Sequence, residues 1–158
     1  MPEFRVVASA ERWCAAPREA ILAFERDPRS STTVEPRMRV TDLVATPDLV
    51  GTSWTTVVTT GKIFHARFRA ILMALDPVIV ELRRQKHVQT ATVTVGKVPD
   101  GQGRYLVRYT VEAVFTVLWT DAWIYRLLLG RMERGTRRDM ERQIDRGVAA
   151  IEAGVRAE

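Results

Sequence analysis

Apolar and polar positions alternate with period two through FRVVASAERWC near the start of the chain, which predicts a strand with one buried face. Ala15-Ala16-Pro17 then opens a short helix over PREAILAFER, because a proline at the start of a helix gives up an N–H that would have no partner there. Asp27-Pro28 ends it, and the polar stretch RSSTTVEP from Arg29 to Pro36 is either a second short helix or a loop. From Arg37 to Val117, runs rich in Val, Thr, Ile and aromatics are broken at Pro47-Asp48, Gly51, Gly61-Lys62, Asp76-Pro77 and GKVPDGQG. The breaks predict strands near 37–45, 51–60, 63–74, 78–85, 88–96 and 104–117. Connections this short do not accommodate parallel crossovers, so the expected sheet is an antiparallel meander.

The period changes after Asp121. Ile124, Leu128, Met132, Met140, Ile144, Val148, Ile151 and Val155 recur at steps of three, four or eight, the spacing of one buried helical face. Thr120 or Asp121 is placed to cap this helix. Continuous to Val155, it would be about 50 Å long. Gly130, Gly135 and Gly147 each weaken it by about 1 kcal/mol relative to Ala, and a bend is expected between Gly130 and Gly135.

An antiparallel sheet with one apolar face must cover it, and the C-terminal helix is the element long enough to do so. Alternation puts Tyr105, Val107, Tyr109, Val111, Ala113 and Phe115 of the last strand on the inner face. Phe64, Ala66, Phe68, Ala70 and Leu72 share the inner face of an earlier strand. Small inward residues such as Ala66, Ala70 and Ala113, with Gly135 and Gly147 on the helix, leave space between sheet and helix. A fully packed core is the competing expectation.

With 158 residues, 46% hydrophobic and 27% charged, the chain suits one globular domain over 1–158 and neither a disordered nor a fibrous protein. Charges at Glu3, Arg5, Glu11 and Arg12 interrupt any signal-like apolar run, and no stretch approaches the roughly 20 apolar residues of a membrane span. A cytoplasmic location is therefore expected. Cys14 is the only cysteine, which excludes an internal disulfide and a thiolate-cluster metal site, and it reads as a buried structural thiol.

The order of strand, short helix at APREAILAF, glycine-then-aromatic strand start at GTSW, meander and long terminal helix resembles the START-like or helix-grip superfamily. Within it the pattern is similar to the polyketide cyclase/dehydrase and lipid-transport branch of the SRPBCC proteins. The likeness spans Phe4 to Gly154, except that SSTTVEP replaces a tryptophan-bearing segment common in the family. The resemblance implies an α+β fold in which a curved antiparallel sheet of about seven strands wraps around the C-terminal helix. It also implies a cavity that holds lipids, polyketides or similar molecules, in some relatives with cyclisation or dehydration inside it.

Chemistry-bearing residues are few. His65 falls on the Arg-bearing outer face of its strand, and His87, beside Lys86 and Gln89, either reaches the pocket mouth or lies in solvent. No metal-ligand spacing, phosphate loop or nucleophile elbow occurs, and neither a metal nor a cofactor is expected. Inward Tyr105 and Tyr109 each offer a hydroxyl that wants a partner when buried, either a ligand or a backbone group. The candidate ligand lining is Trp54, Phe64, Phe68, Leu72 and Phe115 with these two tyrosines, completed from the helix by Leu128 and Met132. Trp119 and Trp123 bracket the helix start as packing residues or ligand contacts.

The formal charge is +5. Arg67, Arg69, Arg83, Arg104 and Arg108 fall on outer strand faces, with Lys62 and Lys97 at turns. Such a face is a solvated surface or a transient dock for anionic membrane; specific nucleic-acid binding lacks interleaved exposed aromatics. Three functions follow for testing: a binder or carrier of a small hydrophobic ligand, a cyclase or dehydratase using Tyr105, Tyr109 and His87, and a docking module built on the basic face.

Overall fold

The computed structural model describes residues 1–157. Strand β1 (Glu3–Cys14) leads into helices α1 (Arg18–Arg26) and α2 (Ser30–Val34). Six strands follow: β2 (Met38–Val44), β3 (Ser53–Thr60), β4 (Phe64–Leu75), β5 (Val78–Arg84), β6 (His87–Val95) and β7 (Tyr105–Thr116). Helix α3 (Ala122–Ala157) ends the chain. The expected strand boundaries hold to within a residue or two, and RSSTTVEP contains the short helix of its two alternatives.

All seven strands form one antiparallel sheet in the order β1-β7-β6-β5-β4-β3-β2. The meander from β2 to β7 closes with β1 returning to pair along the whole of β7, Glu3 opposite Thr116 and Cys14 opposite Tyr105. Register shifts between Thr41 and Val44 and between Leu72 and Ala74 mark irregularities of the kind that bend a sheet. The alternation read from the sequence is realised in β1, where Phe4, Val6, Ala8 and Ala10 are buried and the residues between them are exposed.

The two ends of this sheet differ. At one end α1 is tied across the strand ends: the Arg18 guanidinium donates to the carbonyls of Gly96 and Val95 and pairs with Asp76, and Arg26 donates to the Leu75 carbonyl at 2.9 Å. Ile21 and Leu22 of α1 are fully buried beneath it. At the other end lie the β3–β4 and β5–β6 hairpin tips and the exit from β7 into α3.

Helix α3 continues through Gly130 and Gly135 for 36 residues. Its buried residues are Ala122, Met140, Ile144, Gly147 and Ile151. Ile124 and Leu128 are instead 40% exposed, which corrects the single stripe expected from the sequence. A step of four residues advances about 40° around a helix, so a run of fours from Ile124 to Met140 walks to a different side. Ala122 and Tyr125 make a separate contact at the helix start, and the continuous buried stripe begins only near Met140.

Candidate functional site

Between α1, α2, the middle of α3 and the inner face of β3, β5, β6 and β7 lies a cavity of about 170 Å³. Its walls are mostly apolar, with Val78, Val80, Val93, Val111 and Met140 prominent. A fully packed core is thereby ruled out at this position.

Polar groups converge at one place in the wall. The Tyr109 hydroxyl, reaching in from the middle of β7, donates to the Glu25 carboxylate of α1. Burial of the Glu25 carboxyl pushes its pKa from the ordinary 4.5 up to about 7, against the lowering effect of the Tyr109 hydrogen bond. Burial, reinforced by the neighbouring Glu25, also raises the Tyr109 hydroxyl, which stays protonated. Gly147 of α3 makes room for this pair: a Cβ there would overlap the Tyr109 hydroxyl and crowd Val34 at 3.3 Å. The space left by Gly147 is thus filled by tyrosine rather than added to the cavity.

Trp54 presents a second ordered wall. It is 4% exposed, and its indole N–H donates to the Thr56 hydroxyl at 3.0 Å, so the ring is held along β3. Gln89 and Gln143 add amides to the lining from β6 and α3, and Ser30 and Ser31 add hydroxyls from α2. Both serine hydroxyls already donate to backbone, Ser30 to the Asp27 carbonyl and Ser31 to the Pro28 carbonyl, each at 2.7 Å. Behind the wall, Cys14 is fully buried and its thiol is pushed up to about 11, first by burial and then by Glu152 and Glu25, which makes it a poor nucleophile.

Of the candidate lining residues, Trp54 and Tyr109 border this cavity. Leu72 is buried in the core, and Tyr105 packs partly buried against the same core. Phe68 and Phe115 lie towards the opposite end, where they flank His87 with ring centroids 5.4 and 6.0 Å away. Phe64 is 76% exposed because its strand runs beyond β5, whose pairing with β4 reaches only Arg69. Leu128 and Met132 sit on the first half of α3, before the stripe that meets the sheet. His87 is partly buried with its Nε2 unpartnered, and burial lowers its pKa, so it is neutral and stands apart from the cavity. His65 is exposed and hydrogen-bonds Thr59 at 3.0 Å.

Glu25 was absent from the candidates read from sequence. The available signal was its spacing: four residues after Ile21 and three after Leu22, it shares the buried face of α1 despite its charge.

No protein-family model matches this chain, and no curated protein matches it. Solved structures do. A Staphylococcus aureus protein of unknown function, SA2116, aligns with 98% of this chain and 98% of its own at 10% identity and a TM-score of 0.71. A norcoclaurine synthase point mutant from Thalictrum, solved with a transition-state analogue, aligns over 96% of each chain at 15% identity and a TM-score of 0.59. Ara h 8.0201 aligns over 98% of this chain and 100% of its own, at 11% identity and a TM-score of 0.60. At these identities the likeness is one of fold: the chain has the helix-grip architecture, a seven-stranded curved antiparallel sheet with a long C-terminal helix.

Proposed function

We propose that the protein binds a small, largely apolar molecule with one polar head, seated against the Glu25–Tyr109 pair. The observation that carries this reading is the hydrogen-bonded pair of a carboxyl and a tyrosine hydroxyl on the wall of a cavity whose surface is mostly apolar. Size narrows the class. The cavity of about 170 Å³ is below the roughly 300–1,000 Å³ of drug-sized sites and close to the ~150 Å³ void that takes up one benzene. A single-ring ligand fits this conformation better than the lipids and polyketides of the wider superfamily.

Calorimetric titration with p-cresol and with toluene tests it, since the two differ by the hydroxyl alone. The hydroxyl should tighten binding about five- to tenfold, the worth of one net hydrogen bond, and Tyr109→Phe should shrink that ratio. Equal affinity for the two probes would remove the polar anchor, and binding of neither would remove the pocket reading.

An enzymatic reading, dehydration or cyclisation, draws its support from Glu25, whose carboxyl titrates near neutrality where general acid–base catalysis works best. It assigns proton transfer to Glu25, makes Tyr109 a hydrogen-bond donor, and leaves Tyr105 and His87 out. Such an enzyme would lose turnover in Glu25→Gln while keeping ligand affinity; undiminished turnover would contradict it. Docking through the basic sheet face draws less support, because three of its five arginines, Arg83, Arg104 and Arg108, are paired with Glu81, Asp100 and Glu11, which leaves Arg67 and Arg69.

A further inference from the structure

The end of the sheet opposite α1 displays large apolar side chains to solvent. Ile63 and Phe64 at the β3–β4 tip are 80% and 76% exposed. On the way into α3, Trp119 is 69% and Trp123 is 61% exposed, followed by Leu127 at 74%. The base beneath them is ordered: Tyr125 of α3 packs against Phe4 and Phe115, with ring centroids 5.9 and 5.7 Å away. These residues are therefore held outward by a packed helix start.

Cations surround this end. Lys62, Arg84 and Lys86 stand at the two hairpin tips, and Arg126 lies within the first turns of α3. Further along α3, Arg131, Arg134 and Arg138 are exposed on the side that carries Trp123 and Leu127, the five positions spanning about 80° of arc. None of these seven cations is ion-paired among the described residues. The acids near the helix start and the β1 start are Asp121 and Glu3, with Glu133 further along α3.

We propose that this end docks on a bilayer rich in anionic lipid, with Trp119, Trp123 and Leu127 entering the interface and the arginines of α3 meeting the phosphates. The axial spacing fits. Arg131 and Arg134 follow Leu127 by about 6 and 10 Å along the helix, and apolar side chains of interfacial helices enter by roughly 5–10 Å. Charge selects the partner: a second copy seated on the same patch would bring the unpaired arginines against their own equivalents, whereas an anionic surface neutralises them. The site is independent of the pocket reading and distinct from the arginines of the outer sheet face.

Flotation of the purified chain with vesicles tests it, comparing phosphatidylcholine alone with equal parts phosphatidylcholine and phosphatidylglycerol, at low and high salt. The chain should float with the anionic vesicles only, and less at high salt. Trp119→Ala/Trp123→Ala should cut binding roughly tenfold or more, and Arg131→Glu/Arg134→Glu by about fivefold or more for each charge removed. Lys97→Glu in the β6–β7 connection, at the α1 end of the sheet, should change it by less than about twofold at about 0.1 M salt, since a charge far from the contact is screened. All these positions are exposed, so the variants should melt like the parent. Absence of flotation with anionic vesicles, or undiminished flotation of the tryptophan variant, would overturn the proposal. So would a concentration-dependent dimer in light scattering that the tryptophan variant abolishes.

Discussion

The hydroxyl of Tyr109 occupies the volume that a side chain on Gly147 would need, so a glycine at this point of α3 leaves Tyr109 the room to reach Glu25. Gly147→Ala should displace the tyrosine and destabilise the fold by about 1–3 kcal/mol through overpacking, read from urea unfolding. Tyr109→Phe in the Gly147→Ala background should recover part of the loss. Full stability of Gly147→Ala would mean that helix and strand do not meet this way.

Glu25 makes stability depend on pH in a direction opposite to most carboxylates. Its folded pKa of about 7 lies above the ordinary 4.5, so its contribution is complete below 4.5 and is lost as pH rises through 7. Glu25→Gln should abolish that decline, leaving a flatter denaturation profile between pH 4.5 and pH 7 than the parent shows. Identical profiles would place the carboxyl in water.

Glu35 titrates the other way. It is 5% exposed at the end of α2, takes two hydrogen bonds at 2.9 Å from the Arg37 guanidinium, and is held down to about 2, chiefly by that contact. Its contribution is present above the ordinary 4.5 and fades as pH falls towards 2. Glu35→Gln should cost about 1–3 kcal/mol at neutral pH and little at pH 2.5, in parallel unfolding curves. An equal cost at both would contradict the ion pair.

The two halves of α3 should respond differently to the same kind of truncation. Ile144→Ala removes a fully buried side chain and should cost about 2–5 kcal/mol. Leu127→Ala removes one that is 74% exposed and should stay within about 0.5 kcal/mol. Comparable costs would mean that the first half of α3 is packed as tightly as the second.

Strands and turns were legible in the sequence because each rests on local chemistry: period-two alternation in β1 and β7, and Gly or Pro at the breaks between hairpins. The start of α1 at APREAILAF was legible for the same reason. The helix stripe was misread at Ile124 and Leu128 because steps of four drift around the cylinder, and only burial shows where the contact begins. The cavity was half legible. Trp54 and Tyr109 follow from strand alternation, but where along β4 and β7 the space opens depends on how far α1 and α2 cover the sheet. That long-range fact moves Phe68 and Phe115 out of the cavity lining and brings Glu25 in.

Methyl NMR of the methionines during titration with p-cresol tests the central claim, a ligand site beside Glu25 and Tyr109, most directly. Met38 and Met140 border the cavity, while Met73 and Met132 do not. The ring current of the bound probe should shift the first two methyl signals and leave the other two in place. Shifts confined to Met132, or none at saturating probe, would contradict it.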